Sequence, residues 1–242
     1  MLCAMWVLPL LAAAVALVFA GQLARQWVAR RRPYQLLWSL AMAMYAVASV
    51  AVALGVLRGW TVFDFRVYWA LGAVLNVPFL AAGELELLVR DRTVHLVVDL
   101  VLVFLVAYVV AVLRHAPIHA EWLDQRLPSG KHVFGDGTPA HRLPQLISIP
   151  SYVLLLGGAL WSASKMRGRP ELKDRFVGTL LIALGATIVA GGATFAAYGS
   201  LPGFCLTLVA GIAVMFVGFL RASRPMPAVE LPQDVPAVPG KG

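Results

Sequence analysis

Seven apolar stretches, separated by polar or Gly- and Pro-containing breaks, dominate the chain. Each is about 20 residues long, the length that a helix needs to cross the hydrocarbon core of a bilayer. The stretches occupy residues 4–24, 34–57, 67–88, 95–113, 146–164, 176–198 and 202–220. Of the 242 residues 60% are hydrophobic and 13% charged, whereas ordinary globular domains are about 45–50% apolar and about 25% charged. The sequence therefore predicts an all-α membrane protein, a bundle of seven transmembrane helices.

The distribution of basic residues predicts the orientation of this bundle. The loops after the first, third and fifth stretches, together with the tail, hold 14 of the Lys and Arg residues, and the remaining loops hold 6. Cytoplasmic loops are the ones enriched in Lys and Arg. We therefore expect the N-terminus outside, the C-terminus inside, and the protein in the cytoplasmic (inner) membrane. Because the basic residues punctuate apolar runs, the net charge of +8 does not indicate a nucleic-acid partner.

Two segments are expected to lie outside the bilayer. Residues 114–145 form the single long external loop, in which turn signals flank a short run at 131–134 and predict a small hairpin or lid. The other segment is the tail, 221–242, which contains five prolines and no apolar periodicity. It is expected to be a disordered cytoplasmic end following the transmembrane domain of residues 1–220.

Carboxyl groups inside spans are costly and point to function, which draws attention to the third and fourth stretches. Glu84 and Asp99 are equally distant from the turn that joins these stretches, so antiparallel helices would place both carboxyls at the same depth. Facing the bundle, they could share a proton or bind a cation. Alternatively, both lie near the membrane boundary and meet Arg90, Arg92 or interfacial water.

Three further residues are candidates for a cavity within the bundle. Trp38 and Tyr45 are seven residues apart and share a face of the second helix, and Asn76 offers a polar group in the middle of the third. The alternative is structural: the two aromatic residues would pack in the core, and Asn76 would hold neighbouring helices together by a hydrogen bond.

The loop and the cysteines provide two weaker candidate sites. His115 and His119, which are four residues apart, form with Glu121 a candidate metal site, although Pro117 interrupts the helix that this spacing requires. Cys3 and Cys205 lie near the external ends of the first and seventh stretches and could form a disulfide if the first and last helices are neighbours. The alternative is a pair of buried free thiols.

Glycines and aromatic residues are expected to serve packing and anchoring. Gly178, Gly185 and Gly192 recur every seven residues in the sixth stretch, and Gly211 and Gly218 repeat this spacing in the seventh. Such spacing predicts close contact between the two helices, which a short turn joins. Aromatic residues gather toward the outer boundary, as in an interfacial belt. They include Trp6, Trp60, Tyr68 and Trp69.

The absence of characteristic motifs argues against several functional classes. A retinal protein needs a lysine in its last helix for the Schiff base, and all four lysines fall outside the seventh stretch. No span has a histidine near its centre to bind haem, and the chain has no P-loop, no GxSxG and no dinucleotide-binding fingerprint. No cofactor and no catalytic residues are predicted.

One resemblance covers most of the chain. The run Arg31-Arg32-Pro33-Tyr34 leading into Trp38 and Tyr45, and the stretch from Arg66-Val67-Tyr68-Trp69 through Gly83, are similar to small seven-span membrane proteins of high-GC bacteria. These relatives are uncharacterised, so the resemblance implies a fold and a bacterial membrane but no activity or functional residues.

The scarcity of buried charge favours a non-enzymatic role: a sensor, binding or accessory protein that offers its external loop and outer cavity to a small ligand or protein partner. The alternatives are a proton-coupled transporter or channel using Glu84 and Asp99 and, third, a membrane-embedded lipid enzyme that uses polar groups of the outer loop.

Overall fold

The structure, a computed structural model, describes residues 5–224. Within them lie seven helices that are long and apolar enough to cross a membrane, as expected for a multi-pass membrane protein. We number these helices first to seventh. They are Val7–Arg30, Pro33–Arg58, Val62–Leu88, Arg92–His115, Pro139–Met166, Pro170–Ala197 and Leu201–Ala222. The prediction of seven helical spans is confirmed.

Helix caps explain why two helices begin before the apolar stretches that predicted them. The Thr61 side chain accepts a hydrogen bond from the Asp64 amide, so the third helix begins at Val62 rather than at residue 67. Thr138 caps the fifth helix in the same way, and Pro139 occupies its first turn. Both caps satisfy amides that the helix leaves unpaired. The added turns contain polar residues, so a prediction based on the length of apolar stretches does not include them.

Six of the helices form a ring and the fourth lies outside it. Contacts link the first helix to the second, then the third, fifth, sixth and seventh in turn, and the seventh closes the ring on the first. The fourth helix packs on the third and on the start of the fifth. Its buried residues, Leu102, Val109 and Leu113, form a narrow stripe. The first and last helices are thus neighbours, which is the condition stated above for a disulfide between them, and the ring contains six helices.

The third and fifth helices each contain a π-helical segment. These segments are Tyr68–Leu75 and Pro144–Ser148, and they contact one another. A π-helical turn shifts the backbone hydrogen bonds from i+4 to i+5, which frequently occurs at functional sites. At membrane depth such irregular backbone persists where it is buried in protein or lines a cavity.

Glycines bring the backbones of the sixth and seventh helices into direct contact, as their spacing predicts. A Cβ atom added at Gly178 would lie 2.6 Å from the carbonyl oxygen of Gly218. One added at Gly185 would lie 2.6 Å from the carbonyl oxygen of Gly211. A side chain at either position would force the helices apart.

The connection between the fourth and fifth helices, residues 116–138, folds over one end of the bundle, which we call the loop end. The run predicted as part of a hairpin is a short helix, Gly130–Phe134, and the described residues contain no strand. A hairpin is therefore wrong. Glycine allows this compact path, since Gly135 and Gly137 adopt φ of +90° and +74°.

Two tryptophans expected in an interfacial belt instead fix this loop. Trp60 is 7% exposed and donates its indole N–H to the Arg126 carbonyl at 3.1 Å. Trp69 donates to the Ala140 carbonyl at 3.0 Å, and its ring packs on Gly130. The Trp60 indole satisfies a loop carbonyl and the Trp69 indole a carbonyl in the first turn of the fifth helix, while both rings fill the core beneath. The belt is therefore wrong for these two residues.

The predicted tail starts later than expected, because the seventh helix continues to Ala222. Residues 225–242, for which disorder was expected, lie outside the described residues.

Candidate functional site

A cavity of about 430 Å³ lies in the loop-end half of the helix ring. The second, third, fifth, sixth and seventh helices line it, and residues 128–131 of the loop cover it. Its volume falls within the range of about 300–1,000 Å³ that is typical of small-molecule sites. A hairpin or a lid was expected for this loop, and the loop lies where a lid would lie.

The two π-helical segments form part of the cavity wall. Tyr68, Gly72 and Ala73 of the first segment line it, as do Pro144 and Ser148 of the second. Ser148 donates its hydroxyl to the carbonyl oxygens of Ala73 and Val74, at 2.7 and 3.1 Å. One side chain therefore satisfies backbone groups of the irregular third helix and joins the two segments.

The cavity is deep and becomes purely apolar toward its floor. Along the seventh helix it extends from Phe204 to Met215, which is about 16 Å at 1.5 Å per residue. The floor is formed by Met42, Leu80, Leu155 and Met215, which also line a much smaller void beneath. Unbranched methionine adapts its shape to what it packs against, so this floor can fit occupants of different shape.

The cavity reaches the surface between the fifth and sixth helices and also at the loop end, where the lining residues Lys131 and Gln145 are exposed. Ile149 of the fifth helix and Ala190, Ala193 and Ala197 of the sixth line the cavity and are also exposed on the outer surface of the bundle. Below this gap, a 2.8 Å hydrogen bond between the Tyr152 and Thr187 hydroxyls joins the two helices. If the seven helices span a membrane, we expect this surface to face lipid and this opening to lead into the bilayer.

Charged groups near the cavity lie only at its loop end. Lys131 and His141 line it, and both contact the Asp136 carboxyl, at 3.1 and 3.5 Å. The Lys131 ammonium, which donates a hydrogen bond to Asp136, holds the pKa of that carboxyl below its usual value. We call Lys131, Asp136 and His141 the loop triad.

Two of the three predicted cavity residues line this cavity. Tyr45 and Asn76 do so. Both also fit the structural alternative, since Tyr45 is buried in the core and Asn76 makes an interhelical hydrogen bond. The Tyr45 hydroxyl donates to the Leu208 carbonyl at 2.8 Å, and the Asn76 amide donates to the Ala41 carbonyl at 2.6 Å. Trp38 borders only the small void beneath and donates to the Leu80 carbonyl at 3.0 Å.

The two carboxyls of the predicted proton or ion pair lie in different surroundings. Glu84 is 5% exposed and packs against Gly158 of the fifth helix. Asp99 is exposed on the fourth helix, so it does not face the bundle as the shared-proton hypothesis requires. It is Glu86 that has a partner on the fourth helix, since its carboxyl lies 3.2 Å from His95 Nδ1. The equal depth of Glu84 and Asp99 gave no information about helix rotation.

The three candidate metal ligands form no cluster. His119 Nδ1 lies 3.5 Å from the Glu121 carboxyl, whereas His115 bonds to the Ala111 carbonyl at 2.8 Å within the fourth helix. Among the residues from 5 to 224, no group of three or more His, Cys, Asp or Glu side chains could hold a metal ion.

Cys205 is a buried thiol in the seventh helix. Its predicted partner, Cys3, lies outside the described residues, so the disulfide stays a prediction.

The sequence did not reveal the wall contributed by the fifth and sixth helices. Its residues are mostly small and apolar and resemble ordinary packing residues. The signal that could have been used is the cluster of Pro144, Ser148 and Pro150 at the start of the fifth helix, because prolines disturb helical hydrogen bonding.

Comparison of the chain with known protein families, curated proteins and solved structures finds no match in any of the three.

Proposed function

We propose that this protein is a non-enzymatic membrane protein that binds a bilayer-soluble ligand in the loop-end cavity. The supporting observation is the form of the cavity: it is large enough for a small molecule, apolar at its floor, covered by a loop and open between the fifth and sixth helices. An apolar ligand dissolved in lipid could enter through this side without crossing water. Burial of its apolar surface against the wall and better packing there would favour the bound state.

The expected membrane and orientation complete the proposal. The bias of basic residues favours an orientation in which the loop and the cavity lie on the external side of a cytoplasmic membrane. A ligand from the outer leaflet would then reach the opening directly. Sensing and accessory roles are both compatible with this arrangement, since ligand binding beneath the loop could alter the surface that the loop presents to a partner.

The first test is native mass spectrometry of the protein purified gently from its own membrane. We expect a discrete bound mass beyond bulk lipid. Ala193→Trp would place a large side chain at the opening and should abolish this mass, because Ala193 both lines the cavity and reaches the surface. Leu184→Trp is the matched control: Leu184 is exposed on the same helix and does not line the cavity.

Loss of the bound mass in both variants, or retention in both, would contradict the proposed site. A wild-type protein that carries no discrete mass and takes up none of a panel of bilayer-soluble compounds would contradict ligand binding itself.

A second candidate function is proton-coupled transport through Glu84. It is favoured by one observation: within the described chain the buried Glu84 side chain makes no hydrogen bond or ion pair. A carboxyl buried without a partner in a membrane protein is commonly part of an ion or proton path. Glu84→Gln should then abolish proton flux into proteoliposomes, and the exposed Asp99→Asn should leave it intact. Equal flux in wild type and Glu84→Gln would exclude this role.

A further inference from the structure

The wall on the second and third helices carries three polar groups with unused hydrogen-bonding capacity. The hydroxyls of Ser49 and Tyr68 and the carboxamide oxygen of Asn76 make no hydrogen bond to any residue between 5 and 224, and all three residues line the cavity. Ser49 and Asn76 are 2% and 4% exposed. These groups face the cavity rather than neighbouring protein, so they are available to water or to a ligand there. We call them the polar wall.

Three of the four other hydroxyls that line the cavity show the contrast, and the Ser129 hydroxyl of the loop is the exception. Tyr45 is bonded to the Leu208 carbonyl, Ser148 to the third helix and Tyr152 to Thr187. These groups hold helices together and are not free for a ligand. The polar wall, in contrast, holds groups that helix packing leaves unused.

The members of the polar wall lie on neighbouring parts of the second and third helices. Tyr68, Gly72 and Asn76 recur every four residues along the third helix, and all three line the cavity. At Gly72 the third helix approaches the second so closely that an added Cβ would lie 2.9 Å from the Ala48 side chain. Ser49 follows Ala48 directly. Tyr68 and Asn76 are eight residues apart, about 12 Å along the helix axis, so the three groups line the same side of the cavity at different depths, on helices that do not border the opening.

The chemistry of this region defines what it can recognise. The Asn76 oxygen only accepts hydrogen bonds, whereas the Ser49 and Tyr68 hydroxyls can both donate and accept. A ligand hydroxyl matches this set, because it donates one hydrogen bond and accepts others. No charged side chain belongs to the polar wall, since the charged lining residues, Lys131 and His141, lie at the loop end and pair with Asp136. A charged head group would be desolvated without compensation.

We propose that the ligand of the cavity is a neutral amphiphile whose hydroxyl-bearing head binds the polar wall and whose apolar tail extends toward the opening between the fifth and sixth helices. This inference rests on the proposed function and adds the class of ligand and its direction in the site. The head lies deep among the buried residues Ser49 and Asn76, and the tail passes small, exposed alanines of the sixth helix.

The test uses three probes with the same tail and different heads: dodecanol, dodecane and dodecanoate. Each is added to the full-length protein in lipid nanodiscs, and its affinity is obtained from the rise in the unfolding midpoint at a known mole fraction in the lipid. We expect dodecanol to bind about tenfold more tightly than dodecane, as one or two net hydrogen bonds would provide. Dodecanoate should bind more weakly than dodecanol.

Conservative variants assign any preference to the polar wall. Tyr68→Phe combined with Ser49→Ala removes two hydroxyls with little change in shape and should bring the affinity for dodecanol close to that for dodecane. Tyr108→Phe combined with Ser151→Ala is the control, since this pair also loses one tyrosine and one serine hydroxyl but at residues that do not line the cavity. It should leave the ratio of the two affinities unchanged.

The possible failures are distinguishable. Equal binding of dodecanol and dodecane, with both displaced by Ala193→Trp, would overturn the head-group inference and leave the proposed function standing. Tighter binding of dodecanoate would overturn the neutral head. A preference for dodecanol that survives loss of both hydroxyls would overturn the polar wall as its origin. No binding of any probe would count against the proposed function as well.

Discussion

The Ser148 hydroxyl lies 2.7 Å from the Ala73 carbonyl oxygen and thereby joins the π-helical segments of the fifth and third helices. The same hydroxyl lies 3.1 Å from the Val74 carbonyl oxygen. Because both carbonyls belong to the irregular part of the third helix, they depend on this contact from another helix. Two helical irregularities thus support one another at the wall of the cavity.

Removal of this hydroxyl should be costly. Ser148→Ala is expected to lower the free energy of unfolding by about 1–3 kcal/mol, the cost of leaving a buried polar group unpaired. Ser151→Ala is the control, because the Ser151 hydroxyl bonds only to the Ile147 carbonyl of its own helix, at 2.7 Å. Denaturant titration in mixed micelles measures both. An equal effect of the two substitutions would contradict the special role of Ser148.

Because the sixth and seventh helices are in close contact, one added methyl group between them should lower the stability of the protein. Gly185→Ala should destabilise the protein by about 1–3 kcal/mol through overpacking, because the new Cβ would lie 2.6 Å from the Gly211 carbonyl oxygen. In Gly191→Ala the new Cβ has no neighbour within 4 Å. This control should be neutral or slightly stabilising, since alanine favours helix. Thermal unfolding of the two variants side by side checks the difference.

The neighbouring glycines of the fifth helix provide a similar comparison around Glu84. A Cβ at Gly158 would lie 2.7 Å from Glu84 Cγ, whereas one at Gly157 has no neighbour within 4 Å. Gly158→Ala should therefore displace the Glu84 side chain and destabilise the protein, and Gly157→Ala should not. If Glu84 also conducts protons, flux should fall in Gly158→Ala alone. Unfolding midpoints that coincide would show that Glu84 does not pack there.

The loop triad predicts a dependence of loop closure on pH. Because Lys131 holds the pKa of Asp136 below its usual value, ionised Asp136 stabilises the closed loop at every pH above the ordinary carboxyl pKa of about 3.9. This contribution is lost as the pH falls through the lower value of the folded protein. Protection of residues 130–137 from hydrogen exchange, corrected for the intrinsic rate, should therefore stay constant above about pH 5 and fall below about pH 4.

Asp136→Asn should show the weaker protection already at neutral pH. Asp124→Asn is the matched control, since Asp124 is exposed in the same loop and makes no ion pair within the described part of the chain. An unchanged exchange rate in Asp136→Asn would show that the loop is held by the Trp60 and Trp69 contacts alone.

Parts of the fold could be predicted where the residues of a helix carry a local signal, such as apolar length or glycine spacing, and not where the arrangement depends on packing between helices. Apolar length identified the seven helices, and the spacing of Gly178 and Gly185 identified a contact because only glycine permits backbones to approach so closely. Rotation of the fourth helix was not predictable, because it is apolar on nearly every side and no face is distinguished as inward. The sequence therefore did not show that Asp99 lies on the exposed side of the fourth helix.

The candidate site was predictable in part for the same reason. Tyr45 and Asn76 were found as polar groups among apolar residues, a local signal. The cavity itself depends on five helices and on the π-helical segments, which follow from tertiary packing rather than from residue order. Ser49 and Tyr68 gained their significance only when the structure showed that packing leaves their hydroxyls unused.

The glycine contacts between the sixth and seventh helices have a mechanical consequence for access to the cavity. Because these backbones touch at Gly178 and again at Gly185, we expect the two helices to move together as one unit. The opening lies at the edge of this pair of helices, beside the fifth helix. We therefore expect a ligand wider than the opening to displace both helices together, and the Tyr152–Thr187 hydrogen bond at one end of the gap to oppose this displacement.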